Sequence, residues 1–171
     1  VYGAPIQVDR AHLQDGYARA ILVNSGNANT CAPGGLELAQ DTCKLVADAL
    51  GMDENDVLPS STGVIGQAMS LEPFAKGIPE AAAQLSADAA GSHAAATAIM
   101  TTDTHPKEYA LAFEVNGTTC HIGAIAKGSG MIHPNMATML CFITTDAAID
   151  SKVLQMALKE SVALSFNQIS V

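Results

Sequence analysis

Residues 127–142, KGSGMIHPNMATMLCF, gather around one hydroxyl, that of Thr138, the residue types that acyl chemistry uses. Gly128 and Gly130 loosen the backbone, Pro134 sets a φ angle, Asn135 tolerates turn geometry, and 136–142 reads as a short apolar strand. A threonine in such a strand is ordinarily a β-branched residue that suits a pleated surface. It becomes a nucleophile only beside a base, and its own α-amine is such a base once the preceding peptide bond is cut. Ala137-Thr138 is that bond. Attack of the Thr138 hydroxyl on the Ala137 carbonyl, an N-to-O acyl shift, and hydrolysis of the resulting ester would free the amine. A turn bracketed by Gly and Pro can hold the strain that favours this step. Spacing alone leaves both readings of Thr138 open.

Three further stretches have compositions that could serve the same chemistry. VLPSSTGVIG (57–66) is a Gly-rich turn able to aim backbone amides at an anion, or an ordinary loop before a helix. NSGNAN (24–29) is a polar loop whose amides bind something or merely turn the chain. IMTTDT (99–104) reads as a turn that ends at the break His105-Pro106. Eight basic residues against 17 acidic ones give a net charge of -9, which argues against nucleic acid or anionic lipid as partners. An anionic substrate therefore needs a local cation. Lys127, between a strand and the GSG loop, is the candidate: it could hold a carboxylate or lower the pKa of a new α-amine.

KGSGMIHPNMATML resembles the self-cleavage segment of the ornithine acetyltransferase (glutamate N-acetyltransferase) family, and NSGNAN, STGVIG and IMTTDT follow that family's order. The resemblance implies autoproteolysis at Ala137-Thr138. It makes Thr138 a nucleophile that carries the acetyl group of N-acetylornithine, releases ornithine, and passes the acetyl group to glutamate by a ping-pong route in arginine biosynthesis. It assigns Thr62 and Gly63 to the oxyanion hole, and Thr101, Lys127 and Thr138 to substrate binding, with Thr102 next in line for Thr101. Some members also use acetyl-CoA, so it stays open as a substrate; no other cofactor is implied. In the same picture residues 1–171 are part of one catalytic domain. Residues 1–137 end an α fragment, 138–171 begin a β fragment, and both natural termini lie beyond. The downstream piece is too short to stand alone, so the fragments stay interleaved, and the family's assembly is a heterotetramer of two α and two β fragments in the cytoplasm. Two competing readings remain: a self-cleaving amidase or aminopeptidase, with water replacing glutamate, and an inactive scaffold.

Composition sets outer bounds. Hydrophobic residues make up 49% and charged residues 15%, the balance of a folded globular protein. No apolar run reaches the roughly 18–20 residues of a membrane span, and no signal-like start is present. Cys31, Cys43, Cys120 and Cys141 form no CxxC pair and the five histidines no HExxH, so reduced, mostly buried thiols and no metal are expected.

The positioning elements follow from periodicity. Residues 1–8, with Pro5, read as an edge strand, and 18–23 as a stronger strand ending in the NSGNAN loop. Over 36–50, Leu36, Ala39, Cys43, Val46, Ala47 and Leu50 make one helical stripe closed by Gly51. Ser70 is a candidate cap for helical pieces at 71–76 and 80–85, separated by Pro79; alanine-rich 87–98 is a third helix or close packing. From Tyr109 the chain reads as a hairpin turning at Asn116-Gly117 and returning over 118–126, which fixes Lys127 by strand register. Residues 139–143 form the next strand. Asp150 caps a last helix, with Val153, Leu154, Ala157, Leu158, Ser161, Leu164 and Ser165 facing inward. Helices layered on sheets, without a GxGxxG after a strand, predict an α/β fold that is not Rossmann.

Overall fold

A computed structural model of the 171-residue chain describes residues 2–129 and 139–169. Its chain divides into two compact units, Val1–Gly91 and Ser92–Val171, with the division inside one helix.

In the first unit, strand β1 (Ala20–Asn27) and strand β2 (Val57–Val64) pair in parallel, and helix α2 (Gly35–Leu50) makes the crossover between them. The predicted stripe on α2 holds for Ala39, Cys43, Val46 and Ala47, which are buried with Val57 at the centre of the core, whereas Leu36 stays exposed. Gly51 ends α2 in the left-handed conformation, as its position predicts.

Four local expectations change. Residues 1–8 are not an edge strand: helix α1 (Ala4–His12) starts there, because Pro5 stands in its first turn, where a fixed φ and a missing N–H cost nothing. Burial of Ala4, Pro5 and Val8 against α2 and β2 then holds α1 in place. NSGNAN does not begin as a loop, since β1 continues through Asn27, and STG lies within β2 rather than in a turn. Each strand supplies the other's hydrogen-bond partners over residues 24–27 and 61–64. The expected two pieces around Pro79 are one helix, α3 (Glu72–Ala83), capped at Leu71 without help from the Ser70 side chain. Pro79 removes one helical hydrogen bond, but Phe74 and Ile78 pack on the common core and keep both turns in line.

Helix α4 (Ala89–Ala98) crosses into the second unit, which is built on an antiparallel sheet in the order β3-β4-β5. Strands β3 (Lys107–Val115) and β4 (Thr118–Lys127) form the expected hairpin, and Asn116 and Gly117 take the positive φ values, 50° and 78°, that its two-residue turn requires. Strand β5 (Leu140–Thr145) pairs with β4 so that Lys127 stands opposite Leu140. Asp150 caps helix α5 (Ser151–Ala163), accepting hydrogen bonds from the amides of Lys152 and Val153. The inward face expected on α5 is not buried: Val153, Leu154, Leu158 and Leu164 are exposed, and Val162, between them in sequence, is the buried residue of the helix. Amphipathic spacing marks a face that suits burial without supplying the surface that covers it. Among the described residues no helix is long and apolar enough to cross a membrane.

Candidate active site

In the second unit, candidate side chains gather at the C-terminal end of β4. Strand pairing delivers Lys127 there, and its side chain is buried, with the residue 6% exposed, instead of lying on the surface as a lysine usually does. Its Nζ donates a hydrogen bond to Thr101 Oγ1 at 2.9 Å. Thr101 and Lys127, proposed from sequence as substrate contacts, are thus brought together across 26 residues of chain.

The turn that carries Thr101 is organised by Asp103. Its side chain is 0% exposed, and its Oδ1 accepts from the Gly128 amide at 2.9 Å and from Lys107 Nζ. Its Oδ2 lies 3.4 Å from the Thr101 amide that donates to it. Burial pushes the Asp103 carboxyl up, but the hydrogen bonds from Lys107, Gly128 and Thr101 outweigh it and hold the group at about 2. Thr102 Oγ1 and Ser129 Oγ share a further hydrogen bond of 2.9 Å. The 101–104 turn is therefore stitched at three points to the chain that leads into residues 130–138.

The first unit places Thr62 and Gly63 near the end of β2, opposite Ser25 and Gly26 of β1. Gly63 has φ +130°, and a Cβ built on it would meet the Gly26 carbonyl oxygen at 2.1 Å, so only glycine allows the two backbones to come this close. Ser61 Oγ donates to the Asn27 carbonyl at 2.7 Å, and Asn24 Nδ2 reaches both that carbonyl, at 2.9 Å, and Ser61 Oγ, at 2.8 Å. Asn29, 4% exposed, donates through Nδ2 to the Gly35 carbonyl at 2.7 Å and so closes the start of α2 onto the end of β1. NSGNAN thus braces STG through the Asn24 side chain and the Asn27 carbonyl, which meet at Ser61, while Asn29 ties the end of β1 to α2.

Ala137 and Thr138, the expected cleavage pair and nucleophile, lie outside the described residues. Sequence reasoning passes over Asp103 and the Asn24–Ser61 pair. The signal for Asp103 is a single carboxylate among threonines, which reads equally well as turn chemistry. Among the described residues, no three His, Cys, Asp or Glu side chains converge in a way that would hold a metal ion.

A parallel βαβ unit followed by an antiparallel three-stranded sheet, both carrying helices, defines a layered α/β protein without a dinucleotide-binding turn. Its relatives are specific. The ArgJ family model matches residues 1–171. The arginine biosynthesis bifunctional protein ArgJ of Symbiobacterium thermophilum is 48% identical over 172 residues, covering 100% of this chain and 42% of that protein. The glutamate N-acetyltransferase of Methanothermobacter thermautotrophicus is 49% identical over 174 residues, covering 100% of this chain and 43% of that protein. Among solved structures, ArgJ of Bacillus halodurans is similar with a TM-score of 0.72 and 38% identity, covering 82% of this chain and 72% of that one. The ornithine acetyltransferase of Mycobacterium tuberculosis, solved with ornithine, gives a TM-score of 0.66 at 29% identity, covering 77% of this chain and 70% of that one. The chain belongs to the ArgJ family, and its layered α/β architecture is the one those structures have. It spans about two fifths of the length of the curated relatives it matches.

Proposed function

We propose that the protein is a glutamate N-acetyltransferase of arginine biosynthesis, working in the cytoplasm and moving the acetyl group of N-acetylornithine to glutamate through Thr138. The observation that carries this reading is the hydrogen bond from buried Lys127 to Thr101 at the end of β4, eleven residues before Thr138, in a chain of the ArgJ family. A buried ammonium hydrogen-bonded to a threonine hydroxyl suits recognition of a substrate carboxylate in a chain whose overall charge repels anions.

Thr138 Oγ first attacks the Ala137 carbonyl. The peptide bond gives way to an ester, and water hydrolyses the ester to leave an Ala137 carboxylate and a free Thr138 α-amine. That amine takes the proton of Thr138 Oγ as the oxygen attacks the acetyl carbonyl of N-acetylornithine. Thr62 and Gly63 stabilise the resulting oxyanion. Collapse breaks the amide C–N bond, the proton passes to the departing ornithine amine, and acetyl-Thr138 remains. Glutamate's amine attacks this ester, yields N-acetylglutamate and restores the hydroxyl. Acetyl-CoA, as an alternative donor, would load the same oxygen with loss of the thiol. The two fragments, one ending at Ala137 and the other beginning at Thr138, stay together in one catalytic domain and pair into a heterotetramer.

Mass spectrometry of the full-length protein tests the reading. The expected result is two fragments meeting at Ala137 and Thr138, absent in Thr138→Ala, with the Thr138 fragment one acetyl group heavier after exposure to N-acetylornithine. Acetate release without transfer to glutamate would mark an amidase instead, and an uncleaved chain that never gains an acetyl group would overturn the proposal.

A further inference from the structure

The one carboxylate in the 101–104 turn grips both partners of the Lys127–Thr101 pair by the backbone. Asp103 holds the Thr101 amide directly and holds Lys127 through the amide of Gly128, the next residue. The two side chains that meet at 2.9 Å are carried on backbone segments tied to a single anion, whose third partner is Lys107 at the start of β3. Gly128 has φ +153°, which a side chain resists, so the carbonyl and amide on either side of it are set by this bond and not by ordinary strand geometry. Two amides and an ammonium converge on a carboxylate with no solvent access, so each of these bonds is charge-assisted and shielded from water.

We propose that Asp103 is the positioning residue of the site, acting through Thr101 and Lys127 to set where the substrate carboxylate is held. This rests on the function proposed above for Lys127 and Thr101. Lys107, half-buried, serves as the counter-ion that keeps the clamp charged and oriented.

The test uses the full-length protein in four forms: wild type, Asp103→Asn, Thr101→Ala and the double variant. Asparagine keeps the volume and one acceptor oxygen but loses the charge and one of the two amide contacts. Asp103→Asn is expected to raise the Michaelis constant for N-acetylornithine about tenfold, with a smaller change in kcat. In the Thr101→Ala background the same substitution is expected to add little, because both act on one pair. A loss confined to kcat, or effects of the two substitutions that multiply, would overturn the assignment and leave Asp103 a purely structural group.

A second readout does not depend on acetyl transfer. Mild acylation with an amine-reactive ester, followed by peptide mass spectrometry, should leave Lys127 unmodified in the folded wild type and modify it at least several-fold faster in Asp103→Asn. Equal protection in both, with both proteins folded by circular dichroism, would refute the clamp. If the wild type neither cleaves nor transfers acetyl groups, the functional reading falls, while this labelling still decides whether Asp103 positions Lys127.

Discussion

Substituting Gly63 by alanine separates two costs that the structure assigns to one atom. The new methyl would stand 2.1 Å from the Gly26 carbonyl oxygen and 2.8 Å from the Asn27 nitrogen, at a φ of +130°. Holding a side chain at such a φ costs about 1–3 kcal/mol. Forcing the paired strands apart to relieve the clash costs a further ~1–3 kcal/mol, since the contact is with backbone and not with the end of a flexible side chain. Gly26→Ala is the matched control: its φ is +119°, yet nothing lies within 4 Å of the added methyl, so only the first cost applies. Thermal denaturation of the full-length variants reads the difference. With about 2–4 °C lost per kcal/mol in proteins of this size, Gly63→Ala should melt about 2–12 °C below Gly26→Ala. Equal melting temperatures would mean that β1 and β2 do not approach as described. The bracing of STG by NSGNAN would then lose its basis.

Two other perturbations rest on the same physics. Burial, opposed by His12, pushes the Asp9 carboxyl up to about 6 from 3.8, so the folded state binds the extra proton and stability declines as pH rises through that window. Asp9→Asn should therefore stabilise the protein by on the order of 1–3 kcal/mol at pH 7 and by nothing below about pH 4; urea titrations at both pH values that show the same gain would contradict this. Asp150→Ala removes both hydrogen bonds to the first turn of α5 and should cost about 1 kcal/mol, seen as faster amide exchange at Lys152 and Val153 with the rest of the chain unaffected.

Elements governed by neighbours in sequence are legible from the residues alone. The β3–β4 hairpin needs only alternation and an Asn-Gly turn, and α2 needs only a repeating apolar stripe and Gly51 at its end. The Asp150 cap reaches amides two and three residues away. The ArgJ resemblance is legible for a similar reason, because each of its motifs is a short continuous string.

What the sequence leaves undecided depends on partners far along the chain. Pro5 suits an edge strand and a helix's first turn equally well, and burial of Val8 against α2 and β2 selects the helix. STG reads as a turn until β1 arrives to pair with it, and whether an amphipathic face such as that of α5 is covered depends on what packs there. The site divides in the same way. Residue types and placement raise Thr138 and Lys127 as candidates, and the family resemblance adds Thr62, Gly63 and Thr101, but the contact of Lys127 with Thr101 and the clamp on Asp103 exist only because strand pairing returns residue 127 to residues 101–103. A buried charge is tolerable only where fixed donors meet it, and that convergence is a property of the folded chain.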